Sequence, residues 1–348
     1  MLVNRSPVGH CAILGGALLI GAFLARSETL AENISSNWPS RAIQMRSPTD
    51  RDKPPVVTAV CLQPGGSLLA TCGDDHRVYV WDTTNDRLVQ RLVGHEDWVH
   101  TLAFSPDGRT LATAGDDRRV IFWDVATGEQ RSVMTDPRHA VTQLAWSHDG
   151  RLLAAIGFEN KVRIYDAIQR SLLRELDGPC SDLRSLAFSP DDRMIAVGGR
   201  DGVVRIWQTQ DGQPIGDYKA HRQRIRALVF SPDGKQIVSA GEDRKIHVRS
   251  LASGQAADLP QRPAKVFSLA FYEANHLAAG GSDNLIRLWD LTTGSEIGQL
   301  AEHKGSVATL SCDGNTLVSG SFDTTIRIWD IKGRIAAVPG QNQGRDRR

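Results

Sequence analysis

Histidine, serine or threonine, and aspartate recur in the same order and with nearly the same spacing at three places in the sequence. The three sets are His95, Thr113 and Asp117; His221, Ser239 and Asp243; and His303, Ser319 and Asp323. These residue types can form a nucleophilic triad, in which an aspartate orients a histidine that takes a proton from a hydroxyl group. One active site needs one such set. Repetition at equivalent positions instead indicates hydrogen-bonded packing networks.

A second pattern that could do chemistry is the segment HEDWVH at residues 95–100, which has the outline of a zinc-protease motif. Its two histidines are one residue too far apart for that motif, and the segment reads as a loop that enters a strand. The five cysteines are scattered without a CxxC pair and are expected to be small buried side chains. The sequence also lacks GxSxG, GxxxxGKS/T and strand-linked GxGxxG motifs. We therefore predict no catalytic, cofactor-binding or metal-binding residues.

The elements that must position the recurring residues are repeated units of about 42 residues, each of which ends in Trp-Asp or a variant of it. The Trp position of successive units is occupied by Trp81, Trp123, Tyr165, Trp207, Arg249, Trp289 and Trp329. Turn motifs such as FSPDG precede most of these Trp positions. Short runs rich in β-branched residues lie between the turn motifs and the Trp positions. The sequence of each unit therefore predicts about four short strands.

A four-stranded sheet of this kind cannot bury both faces alone, so the sheets must stack, and radial closure protects their edges. The sequence thus predicts an all-β fold, a seven-bladed β-propeller of four-stranded antiparallel blades. In period, turns, Gly-His pairs and Trp-Asp pairs, residues 54–332 resemble the WD40-repeat family. The resemblance implies a hydrogen-bonded tetrad of His, Ser or Thr, Asp and Trp in each well-formed blade.

The tetrad positions are unevenly filled. Blade 2 has the full set, His95, Thr113, Asp117 and Trp123, and blade 7 offers His303, Ser319, Asp323 and Trp329. Blade 5 has Arg249 in place of Trp, and blade 1 has no His. Blade 3 is the most divergent, with Ala155, Glu159 and Tyr165, while blades 4 and 6 keep the Asp and Trp.

The N-terminal segment differs from the repeats. An apolar run at residues 11–25 follows Arg5 and precedes a polar stretch, which is the architecture of an export signal. We expect a signal peptide or membrane anchor at 1–26, a linker at 27–53, the propeller at 54–338 and a disordered tail at 339–348. The propeller is expected outside the cytoplasm of an exported or membrane-anchored protein, with a cytoplasmic location as the alternative. The sequence decides neither cleavage nor orientation.

The last blade needs a fourth strand from one end of the chain. The segment around residues 42–45 and the segment at 334–338 are both candidates. We favour the second, because a glycine-containing turn at 332–333 leads directly into it.

The expected function is that of a non-enzymatic scaffold that binds protein partners, as the resemblance implies, on the face with the loops before each first strand. The candidate contact residues are Asp74, Trp98, Asp116, Phe158, Arg184, Arg200, Arg224, Arg226, Lys265 and Phe322. Their charges predict a basic sector on blades 4–6, suited to an acidic segment, and an acidic sector on blades 1 and 2. The alternative is that these are ordinary solvated loop residues whose arginines pair with Asp182 and Glu242.

Two other functions stay open at this point: a propeller enzyme, and a carbohydrate- or cell-wall-binding propeller. An enzyme would require at least three carboxylates or histidines from different blades in one pocket. Because 41 Lys and Arg residues nearly balance 40 Asp and Glu residues, nucleic acid is not expected as a ligand. No small-molecule substrate is expected either, since no catalytic or cofactor-binding motif is present.

Overall fold

The computed structural model of the protein describes residues 38–45, 54–135 and 137–331. Every regular element in these ranges is a β-strand, and the strands β1 to β28 form seven four-stranded antiparallel sheets. Each sheet is a blade, and we number the blades 1 to 7 along the chain. The predicted all-β fold and the seven blades are confirmed.

The first four blades each use consecutive strands. Blade 1 contains β2 (Val57–Leu62), β3 (Leu68–Gly73), β4 (Arg77–Asp82) and β5 (Arg87–Val93). Blade 2 contains β6 (Val99–Phe104), β7 (Thr110–Gly115), β8 (Val120–Asp124) and β9 (Gln130–Met134). Blade 3 contains β10 (Val141–Trp146), β11 (Leu152–Gly157), β12 (Lys161–Asp166) and β13 (Leu172–Asp177). Blade 4 contains β14 (Leu183–Phe188), β15 (Met194–Gly199), β16 (Val203–Gln208) and β17 (Pro214–Lys219).

The last three blades complete the ring. Blade 5 contains β18 (Ile225–Phe230), β19 (Gln236–Gly241), β20 (Ile246–Ser250) and β21 (Ala256–Asp258). Blade 6 contains β22 (Val266–Glu273), β23 (His276–Gly281), β24 (Ile286–Asp290) and β25 (Ser295–Leu300). Blade 7 contains β26 (Val307–Asp313), β27 (Thr316–Ser321), β28 (Thr325–Asp330) and β1 (Ser40–Gln44).

Burial follows the order of the strands within each blade. The second strands are almost entirely buried, as in β3, because both of their faces lie against neighbouring blades. The fourth strands are more exposed than the second strands, most clearly in β17. First strands of neighbouring blades contact one another around the whole ring, including β26 with β2. The apolar core therefore lies between the blades, with the first strands innermost.

A β-bulge recurs near the beginning of every first strand, where the pairing register with the second strand shifts by one residue. The residues left out of the pairing are Thr58, His100, Thr142, Arg184, Arg226, Phe267 and Ala308. Because the bulges sit at the same end of the innermost strands, they place these seven residues around one end of the ring.

The strand that closes the ring is β1, which pairs antiparallel with β28 from Ser40 opposite Trp329 to Gln44 opposite Thr325. Ile43 is 5% exposed and Met45 is fully buried, and both pack between blades 7 and 1. The preference for residues 334–338 was therefore wrong. The physical reason is that the apolar side chains of this segment complete the core between blades 7 and 1. Residues 334–338 lie outside the described ranges.

The membrane segment expected at 1–26 and the tail expected at 339–348 also lie outside the part of the chain that the structure describes. Within that part, no helix is long and apolar enough to cross a membrane.

Candidate protein-binding face

The tetrad of blade 2 forms a continuous hydrogen-bonded chain. His95 Nδ1 lies 2.6 Å from Asp117 Oδ2, and its Nε2 lies 2.8 Å from Thr113 Oγ1. The same hydroxyl accepts a hydrogen bond of 2.9 Å from Trp123 Nε1. All four side chains are buried or nearly so, and Asp117 also accepts the backbone N–H groups of Glu96 and Arg119. The network thus ties the loop before the first strand to the turn between the second and third strands.

Blade 7 has the same arrangement. His303 lies 3.0 Å from Asp323 and 2.7 Å from Ser319, whose hydroxyl accepts a 2.9 Å hydrogen bond from Trp329 Nε1. The shorter spacing between His303 and its strand therefore does not displace the histidine.

In blade 5, His221 lies 2.9 Å from both Asp243 and Ser239. Arg249 fills the Trp position and lies over the ring of Tyr218, with its guanidinium carbon 4.2 Å from the ring centroid. An aromatic ring from the neighbouring blade thus compensates for the missing indole.

In the divergent blades, other side chains replace the histidine. In blade 1, Tyr79 donates a 2.5 Å hydrogen bond to Asp75, and Met45 of the closing strand lies beside Thr71. In blade 3, the buried Arg163 pairs with Glu159 and with Glu175. The repeat alignment alone could have predicted an ion pair at Arg163, because it places this charged residue on a buried third strand, where a charge requires a partner.

The tetrads position the surface that we call the loop face. It comprises the loops before the first strands and the turns between second and third strands, which lie at the same end of each antiparallel blade. The candidate contact residues named from the sequence all belong to these loops, these turns or the adjoining bulges.

The basic sector of the loop face is an ion-pair network that crosses from blade 4 to blade 6. Asp182 lies 2.5 Å from Arg184 Nε and 2.8 Å from Arg224 Nη2. Glu242 lies 3.1 Å from both Arg224 and Arg226, and 3.7 Å from the Lys265 ammonium. Four cations thus share two carboxylates, which leaves two positive charges in excess.

The arginines around Glu242 keep its carboxylate ionised. Burial alone would raise the pKa of Glu242, but hydrogen bonding to Arg224 and the charge of Arg226 lower it below its ordinary value. Burial lowers the pKa of Arg226. Because Glu242 stays ionised at neutral pH, it holds its arginines in place, and the guanidinium donors of Arg224 are already engaged with Asp182 and Glu242.

Aromatic side chains are exposed at three separate places on the loop face. Trp98 is 47% exposed, Phe158 43% and Phe322 50%. Phe158 lies beside the basic sector, since the Arg184 guanidinium carbon is 4.3 Å from its ring centroid. Trp98 and Phe322 stand on blades 2 and 7. Of the three, Phe158 is therefore the aromatic contact that the structure joins to the arginines.

Two aspartates of the predicted acidic sector are held by contacts within their own blades. Asp116 lies 2.9 Å from His100 Nε2, and Asp74 accepts the backbone N–H of Val56. Their carboxylates are thus engaged within blades 1 and 2.

The bulge residues show what chemistry this end of the ring could do. They include one histidine, His100, and no carboxylate. In the described ranges, no group of three or more His, Cys, Asp or Glu side chains is placed to hold a metal ion. The convergent acidic or histidine pocket that an enzyme would require is not formed by the bulge residues.

Comparisons with known proteins agree with this architecture. A family profile described as "WD domain, G-beta repeat" matches residues 48–82 and 86–124, and one described as "IFT122 first beta-propeller" matches residues 140–338. The chain is also similar to a protein of Thermomonospora curvata described as "Probable serine/threonine-protein kinase PkwA", with 36% identity over 109 residues. That alignment covers 28% of this chain and 14% of the relative.

Proposed function

Since the chain belongs to the β-propeller family of the WD40 repeat and the IFT122 first beta-propeller, we propose that it is a non-enzymatic scaffold that holds protein partners on its loop face. The partner presents an acidic peptide segment, which lies over blades 4 to 6. Its apolar side chains contact Phe158, and partner surfaces that extend further reach Trp98 or Phe322.

The observation that carries this proposal is the charge excess of the basic sector. An ion-pair network that served stability alone would be balanced, whereas here two carboxylates serve four cations. The exposed Arg200 adds a further positive charge beside this network. In a protein whose net charge is only +1, such a local excess steers an acidic segment to one sector of the face.

We also propose that residues 1–26 bring the protein to a membrane and leave the propeller outside the cytoplasm. The support is the apolar run that follows Arg5 in the sequence. Fractionation of cells that express the full chain, with protease added from outside, tests this. A full-length protein in the cytosolic fraction would contradict it.

The binding proposal can be tested on an array of immobilised peptides of varied charge. We expect the wild-type propeller to retain acidic peptides preferentially, and to lose them as salt is raised. The double variant Arg224→Glu/Arg226→Glu should lose this preference.

The matched control is Arg151→Glu/Arg193→Glu, which makes the same charge change on the opposite face, where both arginines are more than 80% exposed. Thermal melting must show that both variants are folded. If the wild type does not favour acidic peptides, or if the loop-face variant binds them with unchanged salt dependence, the proposal is wrong.

A further inference from the structure

Three arginines on the outer side of the basic sector have no ion-pair partner among the described residues: Arg200, Arg222 and Arg244. All three are exposed. Arg200 lies in the turn between β15 and β16, Arg222 in the loop before β18, and Arg244 in the turn between β19 and β20. We call them the rim arginines.

Hydrogen bonds hold the three segments together. Gly202, two residues after Arg200, accepts the backbone N–H of His221 at 3.0 Å through its carbonyl oxygen. The next backbone N–H, that of Arg222, donates to Asp243 Oδ2 at 3.1 Å, and Asp243 directly precedes Arg244. The tetrad contact of 2.9 Å between His221 and Asp243 fixes the same loop to the same turn. The rim arginines therefore stand on one rigid frame that spans blades 4 and 5.

The close packing of the frame is visible at Gly202. Its φ of +72° is left-handed, and a Cβ atom there would lie 2.2 Å from the His221 carbonyl oxygen. The turn of blade 4 thus touches the loop of blade 5 backbone to backbone. Such a frame limits the motion of the segments that carry the arginines, which lowers the ordering cost of binding.

The rim arginines differ from the inner ones in what their donors do. The guanidinium groups of Arg184, Arg224 and Arg226 already bind Asp182 and Glu242, so a partner carboxylate would have to compete with them. The rim guanidinium groups keep their planar donor arrays available, and these match carboxylates in a bidentate manner. The same three repeat positions at the junction of blades 1 and 2 carry Asp74, Glu96 and Arg118, so the triple arginine is not a feature shared by that junction.

We infer that the rim arginines, and not the inner network, make the direct contacts with the acidic segment, each arginine receiving one carboxylate of an extended peptide. This inference rests on the proposed function and names the contact residues for it. The inner network acts beside them as a fixed positive background and as the support of Phe158.

The test uses fluorescein-labelled hexaglutamate as the probe, hexalysine as the probe of opposite charge, and the full chain. The rim variant is Arg200→Gln/Arg222→Gln/Arg244→Gly. Glycine is chosen for residue 244 because the φ of 68° there is left-handed, and blade 4 has a glycine at the equivalent position, so that the fold is retained. We expect its affinity for hexaglutamate to fall by about tenfold or more, with a weaker salt dependence.

The control variant Arg109→Gln/Arg151→Gln/Arg193→Gln removes the same three charges from the turns on the opposite face and should bind hexaglutamate within about twofold of the wild type. Equal affinities of the rim and control variants would overturn the inference. If Arg224→Gln/Arg226→Gln lost binding while the rim variant kept it, the proposed function would be supported, and the inference that the rim arginines make the direct contacts would be wrong. A wild-type protein that bound hexaglutamate no better than hexalysine would also overturn the inference, whereas the scaffold proposal would then be judged on the peptide array.

Discussion

Arg262 lies across the indole ring of Trp289, with its guanidinium carbon 4.8 Å from the ring centroid. Arg262 stands at the repeat position that blades 2, 5 and 7 fill with the tetrad histidine, and Ala279 stands where those blades have the hydroxyl. The guanidinium group also reaches Glu296 Oε2 at 2.6 Å. Blade 6 therefore holds its buried tryptophan by a cation–π contact and an ion pair in place of a hydrogen-bonded chain.

Replacement of this residue by alanine, Arg262→Ala, should lower the free energy of unfolding by about 2 kcal/mol, because it uncovers Trp289 and weakens the pairing of a carboxylate that is only 5% exposed. Urea denaturation measures the change. The control is Arg138→Ala, which removes an exposed arginine. Equal denaturation midpoints for the two variants would show that Arg262 does not replace the tetrad histidine.

Within blade 2, Trp123→Ala should destabilise the protein more than His95→Ala. The first change removes a large buried ring and its hydrogen bond to Thr113, at a cost of about 3 to 5 kcal/mol. The second removes one member of the network and leaves Asp117 with its backbone donors, at a cost of about 1 to 3 kcal/mol. Denaturation midpoints of both variants provide the comparison. If the two midpoints coincide, the tryptophan is not the main stabilising member of the tetrad.

Acidification should destabilise the propeller in two steps. Burial lowers the pKa values of His221 and His303, although Asp243 and Asp323 act in the opposite direction. Both rings therefore bind protons less readily in the folded protein than in the unfolded chain, which binds them below about pH 6.5, so stability falls as the pH decreases through that value. Burial alone would raise the pKa of Asp323, but hydrogen bonds lower it to about 2, and its stabilising contribution is lost between the ordinary value of 3.8 and about 2.

The measurement is the melting temperature at a series of pH values. His303→Gln should melt at a lower temperature than the wild type at neutral pH but show a smaller decrease between about pH 7 and pH 5, because it removes one histidine that binds a proton more readily once the chain unfolds. His139→Gln, a change of an exposed histidine, should keep the wild-type slope. A slope that His303→Gln leaves unchanged would assign the acid sensitivity to other groups.

Loss of the closing strand should open the ring. A shortened chain that begins at Lys53 lacks β1 and leaves the edge of β28 and the space of Ile43 and Met45 uncovered. We expect it to aggregate or to melt well below a chain that begins at Trp38. As a point variant, Ile43→Asp should cost about 3 kcal/mol, since it buries a charge in an apolar core. Its control is Ala42→Asp, at an exposed position of the same strand. Equal melting temperatures for these two variants would contradict the closure by β1.

The blades could be predicted from the sequence because each repeat carries its own marks. Turn motifs and the Trp position fix the register of a blade within some 42 residues, so every signal is local. The closing strand has no such marks. Residues 40–44 and 334–338 are both short and partly apolar, and the choice depends on contacts with β28 across the whole length of the chain.

The basic residues of the loop face on blades 4 to 6 are visible in the repeat alignment, and their pairing with Asp182 and Glu242 was one of the two alternatives that the sequence offered. The structure forms these pairs. The alignment could not show which pairs cross between blades, because Arg224 and Asp182 belong to different blades and meet at 2.8 Å only once the ring has formed. Likewise, Arg262 becomes a partner of Trp289 through the geometry of blade 6. Arg222 and Arg244 are not among the contact residues predicted from the sequence, because they occupy the repeat positions directly after the tetrad His and Asp, whereas the predicted residues occupy three other repeat positions.

The pairing of β1 with β28 also sets the order in which the protein can assemble. During synthesis, residues 40–44 leave the ribosome first, yet their partner strand is made after six other blades. Blades 1 to 6 can form from local contacts as they emerge, whereas blade 7 depends on two segments that nearly the whole propeller separates. We therefore expect ring closure to be a late step of folding, and until it occurs the incomplete propeller presents unpaired edges on which chaperones or other nascent chains can act.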